Sequence, residues 1–388
     1  MKIALYGGSF NPPHLGHRAV AVTVAEQLRP DLTLVIPSRC PPHKELAEDS
    51  PAPEERLRLC GMTFAGVART ELCDIELRRD GASYTADTVE QLRARYPKDE
   101  LYLVVGTDML LCFEHWYRFR YLIEQCVLTA VAREDEDMEC LTDKANRLRA
   151  DFGARVLVLH HDPLPVSSSQ LLQLLPARLG SGQLDPDAYR EIIRRRLYGA
   201  QPELSWLREQ VYPLLKPERI AHVSGCESEA VRLAALWGED PELAAEAAIL
   251  HDATKRWSLQ EQIRACGSYG VPLGREELDS PAILHAITGA SFAREEFGVC
   301  DAVYGAIRWH TTGRADMTLL EKIVYLADTV EPNRDFPGVE QIRRACGTDL
   351  DEAMSLALRR SLEHVEERGK KPHPATAEAA RWYEERKP

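Results

Sequence analysis

The sequence predicts an α/β doubly wound parallel sheet followed by an all-α domain, and three observations carry that expectation. Through about residue 198, short apolar runs of strand type alternate with segments of helical period. From about residue 203, helical periods continue with few strand signals. Each recognisable motif of the first part follows one of the strand-like runs, where ligands of a parallel sheet bind. At 388 residues the chain is long enough for two domains of about 100–200 residues each. The expected spans are 1–200 and 203–388.

In chain order, the apolar run at 3–6 reads as a buried strand, and Gly7-Gly8 should let the backbone turn sharply and approach a ligand. Pro12 and Pro13 stiffen the loop. The spacing of Leu15, Ala19, Val22, Ala25 and Leu28 predicts a helix with His14 and His17 on one face of its N-terminus. Free N–H groups, the positive end of the dipole and two imidazoles converge there, which suits a polyphosphate. A strand at 32–36 leads to Pro37 and then Pro41-Pro42-His43-Lys44, where Lys44 could meet a phosphate. Helices are expected over 54–64 and 86–96, the second with Ser83 or Thr85 as its cap. A strand at 101–105 precedes Gly106-Thr107-Asp108 and, further on, Trp116, whose broad apolar face could stack on a ring. Strands at 127–131 and 156–159 precede Arg133 and Val166-Ser167-Ser168-Ser169, the latter a helix-capping segment.

In the second part, strong helices over 242–250 and 319–326 deliver His251-Asp252 and Asp328, with His222, His285 and His310 placed around them in order. Imidazoles and carboxylates together suit divalent iron, manganese or similar ions. The formal charge of −13 argues against a nucleic-acid surface. No apolar stretch approaches the roughly 20 residues that span a bilayer, and the early glycines leave no room for a signal peptide. Ten cysteines without a CxxC pair read as reduced, mostly buried thiols in a cytoplasmic protein.

The string His14-Leu15-Gly16-His17, after Gly7-Gly8-Ser9-Phe10, resembles the signature of the HxGH nucleotidyltransferases, a Rossmann-like superfamily. Four further segments are similar to its nicotinate-mononucleotide adenylyltransferases: Pro41 to Lys44, Ser83 to Thr88, Gly106 to Leu110 with Trp116, and Val166 to Ser169. The resemblance implies adenylyl transfer from ATP with Mg²⁺ to nicotinate mononucleotide, with no covalent intermediate. It implies an ATP site of Gly7, Gly8, Ser9, Phe10, His14, His17, Ser167, Ser168 and Ser169, with the two histidines catalytic. It also implies an acceptor site of Lys44, Thr85, Asp108, Trp116 and Arg133. Leu172 stands where the family has an arginine, and Arg133 is the candidate replacement. Nicotinamide mononucleotide or phosphopantetheine are the alternative acceptors.

The ordered set His222, His251-Asp252, His285, His310 and Asp328 resembles the HD superfamily of metal-dependent phosphohydrolases. With Lys255, His310 to Arg314 and Ala327 to Pro332 it is similar to the YqeK type, which splits diadenosine tetraphosphate to two ADP. That resemblance implies one metal on His222, His251, Asp252 and Asp328 and a second on His285 and His310, with Asp252 bridging. Iron is the first expectation and manganese the second. It further implies catalytic roles for Asp252 and Lys255 and phosphate contacts from Lys255 and Arg314. A nucleotide-sensing module without catalysis is the alternative for this half.

Overall fold

The computed structural model describes residues 1–42, 46–47, 50–132, 137–161 and 164–386. It divides into two compact units, Met1–Gln201 and Pro202–Pro388.

The first unit is built on six parallel strands: β1 (Lys2–Gly8), β2 (Leu32–Pro37), β3 (Thr70–Leu72), β4 (Glu100–Gly106), β5 (Cys126–Val131) and β6 (Val156–Leu159). Their spatial order is β3-β2-β1-β4-β5-β6, so the direction of winding reverses between β1 and β4. The helices are α1 (Leu15–Thr23), α2 (Pro53–Thr63), α3 (Thr85–Arg95), α4 (Thr107–Leu111), α5 (Phe119–Gln125), α6 (Asp137–Phe152), α7 (Ser168–Leu174) and α8 (Pro186–Arg194). Successive side chains of each central strand enter opposite cores. Ile3, Leu5, Leu34, Leu101 and Leu103 pack on one side, and Ala4, Tyr6, Val35, Tyr102 and Val104 on the other. Burial on both faces is why these strands read as continuous apolar runs rather than alternating ones.

Two local expectations are corrected. Gly7 and Gly8 do not form the turn: they end β1, paired with Ile36 and Pro37. The left-handed residue is Phe10, at φ 44°, whose ring packs beneath Gly8 and is 1% exposed. Neither Ser83 nor Thr85 caps the second predicted helix. Tyr84 holds the N-cap position without a side-chain bond, and Ser83 Oγ instead accepts from the backbone N–H groups of Arg39 and Cys40. The helix predicted to run to Leu28 does so, but its last turn widens to a π-helix over Val24–Leu28.

The second unit is helical throughout its described residues: α9 (Leu204–Val211), α10 (Pro217–Trp237), α11 (Pro241–Leu250), α12 (Leu259–Ser268), α13 (Arg275–Asp279), α14 (Leu284–Phe297), α15 (Asp301–Trp309), α16 (Leu319–Val330), α17 (Val339–Cys346), α18 (Leu350–Glu367) and α19 (Pro374–Glu384). Local chemistry sets the ends. Asp240 caps α11, and Thr318 with Glu321 forms a capping box on α16. Gly238 closes α10 and Gly298 closes α14, both left-handed. The main core of the unit runs from Leu207 and Ala230 to Leu326 and Leu358, and a smaller cluster holds Cys266, Leu284 and Ile287. Among the described residues no helix is long and apolar enough to cross a membrane.

Candidate active sites

The first site lies at the carboxyl end of the sheet, where winding reverses between β1 and β4. His14 is the N-cap of α1 and His17 its third residue. Each ring accepts the other's backbone N–H through Nδ1, at 3.4 Å for His14 and 3.2 Å for His17. This is a capping box written with two histidines. The rings stack with centroids 3.7 Å apart. Because Nδ1 accepts in both, the ring proton of the neutral imidazole belongs on Nε2, which is then a donor. Gly16 is sterically required, since a Cβ there would lie 2.9 Å from Val166 Cγ1 and 3.0 Å from His14 Nδ1.

Val166 opens the serine segment, and Ser168 Oγ donates to the Pro12 carbonyl at 2.9 Å. Ser167 caps α7 by accepting from Gln170 N–H. The fold therefore brings residues 166–169 onto the loop that carries the two histidines, 150 positions earlier. Leu172 is half-buried on α7. Below this loop, and not singled out in the sequence, lies Arg56 of α2, fully buried. Its guanidinium donates to the Ser9 carbonyl at 2.6 Å and the Arg39 carbonyl at 3.3 Å, tying together the loops after β1 and β2. An arginine in an amphipathic helix gives no sign in sequence that it points inward.

Thr85 is the first residue of α3 and half-buried. Its neighbour Tyr84 packs on Tyr117, rings 4.6 Å apart, which draws the start of α3 to the segment holding Trp116. Trp116 is half-buried, 5.2 Å from the Phe113 ring. Asp108 is exposed in the first turn of α4. Lys44 and Arg133 lie outside the described residues. Beneath α3, Glu76 accepts from Thr88 Oγ1 at 2.7 Å, and burial pushes its carboxyl up to about 7.

The second site gathers five side chains, each from or at the end of a different helix, around Asp252, which is completely buried. Asp252 Oδ2 faces His222 Nε2 at 3.9 Å and His251 Nε2 at 3.5 Å; Oδ1 faces His285 Nε2 at 3.2 Å and His310 Nε2 at 3.7 Å. Asp328, in the last turn of α16, lies 3.0 Å from His222 Nε2. The outer ring nitrogens are anchored. His222 Nδ1 meets Glu331 at 3.1 Å, His251 Nδ1 the Ala248 carbonyl at 2.6 Å, and His310 Nδ1 the Ile307 carbonyl at 2.7 Å. These anchors put the proton on Nδ1 and aim the Nε2 lone pair inward, the arrangement of metal-ligating histidines. Gly225 makes the Glu331 contact feasible, since a Cβ would sit 2.5 Å from Glu331 Oε2.

The donor set fits divalent ions. His251 Nε2 and Asp252 Oδ1 are buried without a hydrogen-bond partner, which a protein leaves only at a cost unless something else satisfies them. Among the described residues two groups of donors are close enough to share an ion: His222, Cys226, His251 and Asp328, and His251, Asp252 and His310. His285 stands beside the second group, 3.2 Å from His310 Nε2. Burial alone would push both carboxyls up. Instead the surrounding imidazoles, with Arg334 beside Asp328, hold Asp252 and Asp328 well below the usual carboxylate range. Burial, with Lys255 and His310 nearby, pushes His285 down to about 4.

Three cations border this centre. Lys255 Nζ lies 2.8 Å from His285 Nε2 and 3.6 Å from Asp252 Oδ1. Arg219 and Arg334, neither singled out in the sequence, donate at 2.6 Å to Asp252 and Asp328 respectively. Arg219 is one helical turn before His222, a signal that spacing could have offered. Arg314, expected at the phosphates, is paired with Glu321 at 2.9 Å.

The pattern described as Cytidylyltransferase-like matches residues 5–174, and that of the HD domain matches 219–333. A probable nicotinate-nucleotide adenylyltransferase of Carboxydothermus hydrogenoformans is 33% identical over 198 residues, covering 51% of this chain and 98% of the relative. One of Geobacillus kaustophilus is 36% identical over 205 residues, covering 52% and 87%. Among solved structures, a predicted HD superfamily hydrolase involved in NAD metabolism from Clostridium acetobutylicum is 35% identical, covering 47% of this chain and 97% of that one, with a TM-score of 0.46. Nicotinic acid mononucleotide adenylyltransferase of Plasmodium falciparum, complexed with NaAD, is 19% identical, covering 52% and 98%, with a TM-score of 0.44.

Proposed function

The chain belongs, through its N-terminal half, to the nicotinate-nucleotide adenylyltransferase family, and we propose that residues 1–200 transfer the adenylyl group of ATP to nicotinate mononucleotide, giving deamido-NAD and pyrophosphate. The observation that carries this reading is the double-histidine capping box at the winding reversal, with the serine segment packed on the same loop. An oxygen of the acceptor phosphate attacks the α-phosphorus of ATP, the bond to the β-phosphate oxygen breaks, and pyrophosphate departs. His14 and His17 donate Nε2–H bonds to the triphosphate, and the N-terminus of α1 adds its dipole. Ser167, Ser168 and Ser169 hold further phosphate oxygens, while Mg²⁺ accompanying ATP shields them. Thr85 and Asp108 face the acceptor, and Trp116 stacks on its pyridine ring.

For residues 203–388 the proposed reaction is symmetrical hydrolysis of diadenosine tetraphosphate to two ADP. The carrying observation is that each oxygen of Asp252 is faced by two imidazole nitrogens, which sets the carboxylate between the His222–His251 and His285–His310 pairs. His222, His251, Asp252 and Asp328 would hold one divalent ion and His285 with His310 another, iron or manganese by the chemistry of the donors. When bound, such a pair supplies Lewis-acid charge to the attacked phosphate. Lys255, Arg219 and Arg334 offer positive charge to the tetraphosphate chain.

Purified protein is assayed for ATP-dependent deamido-NAD formation and, separately, for ADP release from diadenosine tetraphosphate with added Fe²⁺ or Mn²⁺. Trp116→Ala should raise KM for nicotinate mononucleotide by about fivefold, from the roughly 1 kcal/mol of an aromatic stack. An unchanged KM refutes the stacking role, and faster reaction with nicotinamide mononucleotide or phosphopantetheine refutes the acceptor. No ADP release with either metal refutes the hydrolase.

A further inference from the structure

One donor at the helical centre has no role in the ligand set above. α10 places Cys226 four residues after His222 and therefore on the same face. Its Sγ lies 3.4 Å from His222 Nε2 and 4.0 Å from Asp328 Oδ1. The sulfur, an imidazole nitrogen each from His222 and His251, and an Asp328 oxygen all fall within 4.8 Å of one another. Bonds of about 2.1 Å to nitrogen and about 2.3 Å to sulfur, at the tetrahedral angle, separate two donors on one ion by about 3.5 Å. The Cys226–His222 separation matches that value. Independently, His251 Nε2, in a side chain 1% exposed, enters the same group without a hydrogen-bond partner.

A buried cysteine is ordinarily an inert packing group. This one has apolar neighbours on its outer side, in the core of the unit, and polar donors on the other. We propose that Cys226 is a sulfur ligand of a metal ion held together with His222, His251 and Asp328, and that this position accordingly prefers Fe²⁺, Co²⁺ or Zn²⁺ to Mg²⁺ and Mn²⁺. The proposal rests on the metal-binding reading of the helical unit. Thiolate is a softer donor than carboxylate or water, so it selects borderline ions over hard ones. As the metal–sulfur bond forms, the thiol proton is released to solvent. Arg219 and Arg334, already against Asp252 and Asp328, offset the added negative charge.

The full chain is stripped with a chelator and loaded with Co²⁺, and its absorption and metal content are recorded beside those of Cys226→Ser. The expected result is a near-ultraviolet sulfur-to-cobalt charge-transfer band in the parent protein that Cys226→Ser loses while still binding cobalt. Zn²⁺ should also lose at least about tenfold of its advantage over Mn²⁺ in the variant. A band that survives the substitution, or cobalt bound with no band, overturns the sulfur ligand and leaves the metal site standing. No cobalt bound by the parent protein overturns the metal reading itself and the proposal with it. Should Cys226→Ser not fold, X-ray absorption of the zinc-loaded parent decides: a sulfur neighbour near about 2.3 Å supports the ligand, and only nitrogen and oxygen neighbours refute it.

Discussion

In the sheet unit the candidate site opens on a loop and a helix start whose two histidines stand three residues apart, and its Nδ1 atoms are spent on backbone N–H groups. In the helical unit the centre draws on positions from 222 to 328, and every anchored histidine spends Nδ1 outward and keeps Nε2 for the middle. The same side chain thus becomes a hydrogen-bond donor toward the ligand in one place and a lone-pair donor in the other. What decides is the partner of the far nitrogen, an N–H group in the first case and a carbonyl or carboxylate in the second. Buried carboxyls divide in the same way. Glu76, with few cations around it, is pushed up to about 7, whereas imidazoles and guanidinium groups hold Asp252 and Asp328 down.

Substitution in either site should leave the chemistry of the other intact. Asp252→Ala should cut ADP release by about 10²–10³-fold or more, the range for deleting one preorganised electrostatic group, and leave deamido-NAD formation at its parent rate. His17→Ala should do the reverse by a similar factor. If either substitution depresses both activities in a folded protein, the sites are not chemically separate.

Glu331→Gln tests the anchoring of the imidazoles. It weakens the grip on His222 Nδ1 and should lower metal affinity by about 10–100-fold, read by titration against a chelator. Arg56→Met tests the corresponding support in the sheet unit. Losing charged hydrogen bonds to Ser9 and Arg39 should cost about 1.5–3 kcal/mol of stability and raise KM for ATP, while KM for the acceptor moves less.

The smallest expected effect concerns Glu76. Its folded-state value lies above the ordinary 4.5, so the folded form binds the extra proton. That stabilisation is complete below about pH 4.5 and is lost as pH rises through about 7. Glu76→Gln should therefore flatten the decline of stability between those values and raise Tm at pH 8 by about 2–4 °C. An unchanged pH profile would mean that Glu76 does not titrate in this window.

The central strands were legible because burial on both faces makes them uniformly apolar, and the runs at 32–36 and 101–105 lie within β2 and β4; the run at 156–159 coincides with β6, apolar in sequence although Leu157 is exposed at the sheet edge. β3 was not, because an edge strand of three residues with two exposed side chains carries no apolar pattern. The four-residue signature His14 to His17 showed its helix start directly. Arg56 and Arg334 were silent, since nothing in a residue's type says that it turns toward a site built by other segments, whereas Arg219 and Cys226 stand at helical spacing from His222 and could have been found from it.

From the sequence came the fold class and the helix start at His14, and the type and order of the histidines and aspartates in the second half put them forward as candidates. Those are properties of local period and of residue type, which need no long-range contact to be read. The tertiary structure alone decided which nitrogen of each imidazole faces inward, that both Asp252 oxygens are shared, and that a thiol and two arginines join the carboxylates. The placement of Asp252 among the imidazoles, and the meeting of Cys226 with Asp328 and of Arg219 with Asp252, depend on distances between segments about 30 to 110 residues apart, set by how helices pack. The Nδ1 anchors of His251 and His310 are local, three residues back, and only the packing decides what their Nε2 atoms face.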